Sequence, residues 1–159
     1  MPEIIIRPAK KEDYPGIRAL LLQIAGLHHK LRPDLFLPQV KLSQEDFLER
    51  LETAPQNPIV VALAEGEIVG HLFAEVKHLE EHACKTGRCV FYIDDLCVNE
   101  ACRGQGAGRR LMEEAEALAR LHQCETLELN VYQCNESAVR FYERLGFAPQ
   151  RLTLEKRIS

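Results

Sequence analysis

At 159 residues, with 46% hydrophobic and 28% charged positions, the chain suits one ordinary domain that buries roughly two-thirds of its unfolded surface, and its composition speaks against disorder and against a membrane class. A formal net charge of −4 and a pI near 5.9 speak against a nucleic-acid partner, which calls for a basic face and a pI above about 9; a cationic small substrate suits this balance better. The apolar run in Met1-Pro2-Glu3-Ile4-Ile5-Ile6-Arg7 is too short for a signal peptide, and no apolar run reaches the roughly 18 residues of a membrane span, so a cytoplasmic protein is expected.

Six cysteines, Cys84, Cys89, Cys97, Cys102, Cys124 and Cys134, allow a disulfide framework by number. Several sit in apolar runs where a thiol behaves as a small hydrophobe, and a chain of this length needs no staples, so reduced thiols are expected.

In chain order, Glu3 to Arg7 reads as a strand stopped by Pro8, and Ile17, Leu20, Leu21, Ile24 and Leu27 recur at helical spacing up to an end near Gly26 to His29. His28 to Pro38, with two prolines and no clean period, reads as an ordered loop. Ser43 with Asp46 resembles a helix cap ahead of Phe47, Leu48 and Leu51. Ile59 to Ala64 and Ile68 to Lys77 are apolar runs around the turn Glu65-Gly66-Glu67, and a polar connection, His78 to Arg88, leads to a further strand, Cys89 to Val98.

A helix then opens at Gly104 to Gly108, with Leu111, Met112, Ala115, Leu118, Ala119 and His122 along one side. Thr126 to Val131 alternates as a strand, Glu136 to Leu145 reads as a helix closed by Gly146, and Arg151 to Ile158 supplies a last strand. The order predicts one α/β (α+β) domain with a mixed sheet and no second domain.

The turn Arg103-Gly104-Gln105-Gly106-Ala107-Gly108 stands between an apolar strand and a long helix. Three glycines let backbone N–H groups converge without Cβ obstruction, and the helix N-terminus adds positive dipole, so the turn is suited to a phosphate or pyrophosphate. It lacks the Gly-Lys-Ser/Thr ending of a nucleoside-triphosphate loop and the glycine spacing and context of a dinucleotide fold.

Arg103-x-x-Gly106-x-Gly108, preceded by Leu96-Cys97-Val98 and followed by Arg109-Arg110-Leu111-Met112, resembles the coenzyme A signature of the GNAT acetyltransferase superfamily. Downstream, Asn135 to Phe147 is similar to that superfamily's asparagine and tyrosine helix. The likeness covers nearly the whole chain, in pattern rather than motif from Glu3 to Lys77, so residues 1–159 read as a single N-acetyltransferase domain. It implies a bent mixed sheet whose two central parallel strands, Cys89 to Val98 and Thr126 to Val131, splay apart to admit a pantetheine arm, with helices on the flanks.

The resemblance implies acetyl-CoA as cosubstrate and transfer of acetyl to an amine by direct attack. Leu96, Cys97 and Val98 would pair with the pantetheine as an added strand. Arg103, Gly104, Gln105, Gly106, Ala107, Gly108 and Arg109 would hold the pyrophosphate, and Asn135 and Ser137 would contact the coenzyme beyond it. Tyr142 would protonate the departing thiolate, against the plainer role of a core aromatic.

Asp94 and Asp95 interrupt an apolar strand in which adjacent side chains point to opposite faces. Tyr92-Ile93-Asp94-Asp95-Leu96 is similar to the strand of diamine acetyltransferases whose aligned acid is a proposed base, so Asp94 is expected as base or substrate anchor, with Asp95 the weaker candidate and a structural ion pair the alternative. His28, His29 and Asp34 lie where the superfamily covers its acceptor site. His78, His82, Cys84 and Cys89 have zinc-ligating side chains but no Cys-x2-Cys hook, so no metal is expected. A protein or peptide amine, or a non-catalytic acyl-CoA sensor, are the alternatives to a small-molecule acceptor, and a homodimer is the expected assembly. The acceptor itself is not named by the sequence.

Overall fold

The structure, a computed structural model, describes residues 2–40 and 42–159. Strand β1 (Ile4–Pro8) is followed by a 3-10 turn and helix α1 (Tyr14–Leu31), then by helix α2 (Gln44–Glu52). Strands β2 (Ile59–Ala64), β3 (Glu67–Leu79) and β4 (Arg88–Val98) come next, then helix α3 (Ala107–Leu121), strand β5 (Thr126–Leu129) and helix α4 (Glu136–Arg144).

The strands form one sheet in the order β1-β2-β3-β4-β5, antiparallel throughout except for the parallel pair β4/β5. Helices cover both faces, so β2, IVVALA, is buried along nearly its whole length. On one face Ile17 of α1 and Phe47 of α2 pack on Ile59, Val61 and Phe73. On the other, Ala107, Leu111, Met112, Ala115 and Ala119 of α3, with Phe141 of α4 and Leu145 just past it, pack on Leu72, Ala74, Phe91 and Ile93.

Two expectations are corrected here. Helix α1 runs on to Leu31, through the first residues of the segment read as a loop, because a single exposed Gly26 costs a helix only about 1 kcal/mol; Pro33 then prevents continuation. Arg151 to Ile158 forms no strand, and every residue from Ala148 to Ser159 is exposed, because among the described residues no strand lies beside it. The cap read at Ser43 holds, its Oγ accepting from the Asp46 N–H at 3.1 Å.

The feature that shapes the site is a break in strand register. Phe73 stands opposite Asp95 while Ala74 stands opposite Ile93, leaving Asp94 as the extra residue of a bulge in β4. Before it Phe91 and Ile93 face α3; after it Leu96 and Val98 take that face and Cys97 turns to α1. Asp94 and Asp95 therefore both face the α1/α2 side, so the alternation expected of adjacent strand residues does not apply. In the same place β4 loses its other neighbour: β5 pairs with Val90 to Ile93 only, and residues 94–98 of β4 have an open edge toward it. Asn130, just past β5, reaches across to the Tyr92 hydroxyl at 2.9 Å. The sheet is bent, and its parallel pair, β4 with the last strand β5, splays beyond Ile93.

Candidate active site

The glycine turn lies at the end of this splay. Gly104 and Gly106 have φ of +80° and +87°, a conformation that favours glycine, and a Cβ built on either meets no atom within 4 Å. Gly106 is the N-cap residue of α3. Among the described residues no backbone carbonyl accepts from the amides of residues 104–109, as the first turn of a helix requires. These donors converge on open space with the positive end of α3 behind them, an anion cradle.

Gly108 has a different reason: a Cβ there would stand 3.2 Å from the Phe141 ring, so its absence lets α3 and α4 close together. Arg103 and Arg109 are exposed, Arg109 pairing loosely with Glu113 at 3.4 Å. Gln23 of α1, which the sequence did not single out, clamps the strand to the turn: its Nε2 donates to the Val98 carbonyl at 3.0 Å and its Oε1 accepts from Glu100 N–H at 3.2 Å.

Leu96, Cys97 and Val98 form the open-edged end of β4. The Cys97 side chain turns away from the edge toward the Leu20 carbonyl; burial, assisted by the charge of Asp95, pushes its thiol up to about 12. Such a thiol is no nucleophile at neutral pH. All six cysteines are free, and the Cys89 and Cys124 sulfurs approach within 2.7 Å.

Tyr142, on α4, is packed edge-on between Phe141 and Phe147 at centroid distances of 5.3 and 5.6 Å. Burial, followed by the nearby charges of Asp95 and Cys97, raises its phenol to about 12, so the hydroxyl keeps its proton at neutral pH. Tyr142, Asp95 and Cys97 thus share one neighbourhood at the splay. Asn135 caps α4 through its Oδ1, which accepts from Ala138 N–H and from the Ser137 hydroxyl, each at 3.3 Å.

The two acids differ in their partners. Asp94 takes Arg50 of α2 at 2.5 Å, and the same guanidinium donates to the Ala74 carbonyl at 2.7 Å and lies 5.2 Å above the Phe73 ring. Asp95 accepts from Nε2 of His71 at 2.5 Å. His71 is fully buried and its Nδ1 has no partner, so the proton belongs on Nε2.

Asp95 also lines a cleft of about 490 Å³, walled by Leu21, Ile24, Leu35, Phe36 and Phe73, with His28 and Arg50 as its other charged or titratable walls. His28 stacks on Phe36 at 4.9 Å, and burial lowers its pKa against the opposing pull of Asp95. Arg50 Nε is buried without a partner.

The remaining candidates fall outside the cleft lining. His29 donates from Nδ1 to the Phe36 carbonyl at 2.7 Å and so holds the wall's backbone. Asp34 is engaged by Arg32 through two hydrogen bonds of 2.9 and 2.8 Å, which hold its carboxyl down at about 2, and by Arg157 at 3.8 Å. Among the described residues no three His, Cys, Asp or Glu side chains cluster as a metal site; His82 pairs instead with Lys85 in an isolated bridge. Among the described residues no helix is long and apolar enough to cross a membrane. A second cleft of about 410 Å³ shares no residue with the first, and its Arg7 and Asp13 are already joined at 2.7 Å.

A sequence model described as the acetyltransferase (GNAT) family matches residues 24–147. The chain is 28% identical over 153 residues to the L-amino acid N-acetyltransferase AaaT of Escherichia coli, covering 92% of this chain and 84% of that protein. It is 29% identical to thialysine N-epsilon-acetyltransferase of Sus scrofa, covering 92% and 85%, and 29% identical to the spermine/spermidine N(1)-acetyltransferase of Bacillus subtilis over 52% and 54%. Among solved structures, a tetramutant of the BH1408 protein of Bacillus halodurans superposes with a TM-score of 0.91 at 32% identity, covering 97% of this chain and 99% of that one. An aminoglycoside N-acetyltransferase solved with CoA shares the fold at a TM-score of 0.71 and 19% identity, with 98% and 99% covered.

Proposed function

The chain belongs to the GNAT acetyltransferase family and is an acetyl-CoA dependent N-acetyltransferase, and we propose that its acceptor is a small primary amine with an apolar body, carried by residues 1–159 as one catalytic domain. The observation that carries this reading is a carboxylate, Asp95, set in a cleft walled mainly by apolar side chains, beside β4 where its edge is open. An ammonium group answers the carboxylate. Leu21, Ile24, Leu35 and Phe36 answer an apolar chain.

The residues present fit the cosubstrate. The free amides of residues 104–109 and the open space above Gly104 and Gly106 suit a pyrophosphate, and the open edge at Leu96 to Val98 suits an extended amide-bearing arm. Arg103 and Arg109 add charge at the mouth of the turn, and Ser137 and Asn135 flank it on α4. When bound, acetyl-CoA supplies the thioester whose acetyl group passes to the amine.

Asp95 removes the proton that the ammonium must lose before its nitrogen can attack. His71, by donating to Asp95, fixes which carboxylate oxygen remains free for the acceptor. Tyr142, protonated at neutral pH because burial raises its phenol, donates to the sulfur as negative charge develops there. The role that strand resemblance gave to Asp94 is here given to Asp95, because Asp94 is neutralised by Arg50. The guanidinium of Arg50, which also lines the cleft, is a cation that suits a carboxylate of the acceptor, which favours an amino acid with an apolar side chain over a polyamine. Of the relatives covering most of this chain, the L-amino acid enzyme supports an amino acid acceptor, while others are named for thialysine, glucosamine 6-phosphate and peptidyl-lysine. A cytoplasmic location and a homodimer complete the reading.

Release of coenzyme A thiol across apolar amino acids, alkyl and aryl amines, polyamines and lysine peptides tests it. Turnover is expected with the apolar amino acids and amines. Turnover confined to polyamines or peptides would refute the acceptor reading.

A further inference from the structure

Six thiols are spread over the chain, and among the described residues only two of them meet. Cys89 at the start of β4 and Cys124 just before β5 bring their sulfurs within 2.7 Å. Both side chains lie on the face of the sheet that α3 covers, at the rim of the core, and both are half-buried, within reach of a small reagent. Neither belongs to the acceptor cleft, the glycine turn or the open edge of β4.

The backbone fixes this meeting from both sides. On one side the parallel ladder pairs Val90 with Thr126, and the Glu125 N–H donates to the Cys89 carbonyl at 3.0 Å. Neighbouring strands lie about 4.8 Å apart, which puts residues this close across the pair in the Cα separation of about 4.4–6.8 Å that a disulfide spans. On the other side the chain leaves α3 through a tight turn. The Cys124 N–H donates to the Ala119 carbonyl at 2.8 Å and the Gln123 N–H to the Arg120 carbonyl at 3.0 Å, with Gln123 in the left-handed region at φ +58°. That turn aims Cys124 back at the start of β4. Burial, followed by the hydrogen bond and charge of Cys89, pushes the Cys124 thiol up to about 12, so at neutral pH Cys124 keeps its proton and Cys89 is the sulfur that attacks first.

We propose that Cys89 and Cys124 are a reversible redox pair, which a low-molecular-weight disulfide oxidises to a covalent tie at the closed end of the parallel strands. The Cys89 thiolate attacks one sulfur of the reagent, whose other sulfur leaves as a thiol. Cys124 gives its proton to water and displaces the second thiol from the mixed disulfide. One S–S bond breaks and one forms; the two cysteines lose two electrons and the reagent is reduced to two thiols. Excess small thiol runs the exchange backwards. The loop so closed runs from Cys89 to Cys124 and contains the open edge at Leu96 to Val98, the glycine turn and the whole of α3. The tie touches neither the edge nor the turn, and it binds the strands where they are still paired, ahead of the splay beyond Ile93. Closing a loop of roughly 35 residues takes enough freedom from the unfolded chain to raise Tm by about 10 °C in a chain of this size. The oxidised protein is therefore a stabilised enzyme that still binds its cosubstrate, and the tie is a latch for oxidising conditions.

The test uses the full chain, reduced and then incubated with oxidised glutathione, with remaining thiols alkylated before peptide mapping by mass spectrometry. A Cys89–Cys124 link is expected, reversed by dithiothreitol. Tm should stand about 10 °C above that of the reduced protein, with acetyl-CoA affinity within about twofold by calorimetric titration. In Cys89→Ser and in Cys124→Ser the same treatment is expected to give no link and no rise in Tm. If either variant does not fold, the peptide map of the wild type and its Tm before and after oxidation decide. Glutathione left on Cys89 without a link, a link between other cysteines, or a link that leaves Tm unchanged or costs more than about tenfold in affinity overturns the proposal.

Discussion

Replacing Gly106 with alanine separates the cost of the backbone from the cost at the ligand. Gly106 sits at φ +87° and ψ 5°, and a Cβ there meets no protein atom within 4 Å. The fold therefore bears only the left-handed conformation of an L-residue, about 1–2 kcal/mol, a fall in Tm of about 2–8 °C for a chain of this size. The new methyl projects into the space on which the amides of residues 104–109 converge. Since the backbone strain is the same with and without ligand, any loss of affinity reports contact with the bound anion. Acetyl-CoA affinity measured by calorimetric titration is expected to fall at least tenfold, about 1.4 kcal/mol. A larger side chain, Gly106→Trp, should abolish binding. Gly108→Ala serves as the contrast, because its methyl would press on Phe141 at 3.2 Å and disturb the packing of α3 on α4. A Gly106→Ala protein that melts early yet binds acetyl-CoA as the wild type does would refute the assignment of the turn.

Tyr142→Phe is expected to lower kcat by about 10²-fold with acetyl-CoA affinity unchanged, and the wild-type rate should show no alkaline decline from this group at ordinary assay pH, because its pKa stands near 12; full activity in the variant would remove the acid role. His71→Gln retains a donor toward Asp95 and is expected to stay within about tenfold of wild type, whereas His71→Leu should lose about 10²-fold in kcat with the fold intact by circular dichroism; equal losses would make His71 a packing residue only. At Asp13, burial opposes the charged form, but hydrogen bonds from Arg7 and from the Lys10 N–H outweigh it and hold the carboxyl below the ordinary range. A lowered folded pKa contributes stability that is full above the unfolded value of about 3.9 and is lost as pH falls through the folded one. The gap in Tm between wild type and Asp13→Asn should therefore be wide at pH 7 and narrow below about pH 4.

What was legible in the sequence was local. The glycine turn, the cap at Ser43 and Asn135 at the head of α4 depend on residues within four positions of one another, so spacing alone reveals them. The bulge at Asp94 was not legible, because it is a mismatch between two strands and neither strand contains it by itself. It redirects Asp95 to the α1/α2 face, beside His71 and the cleft. Arg50 and His71 were missed for the same reason, their partners lying 44 and 24 residues away. A signal for His71 did exist, as the one ionisable residue in the apolar run Val69 to Ala74. The alternation of Arg151 to Ile158 was legible as a pattern, but a strand needs a neighbour, and among the described residues none lies beside it.

The proposed mechanism requires that Asp95, and not its neighbour Asp94, serve the acceptor amine. With an amine identified by thiol release, kcat/KM is to be compared in Asp94→Asn and Asp95→Asn at fixed, saturating acetyl-CoA. Asp95→Asn is expected to lose at least about 10²-fold and Asp94→Asn less than about tenfold, because Asp95 lines the cleft while Asp94 is committed to Arg50. A severe loss in Asp94→Asn alongside a near-normal Asp95→Asn would place the base at Asp94 instead.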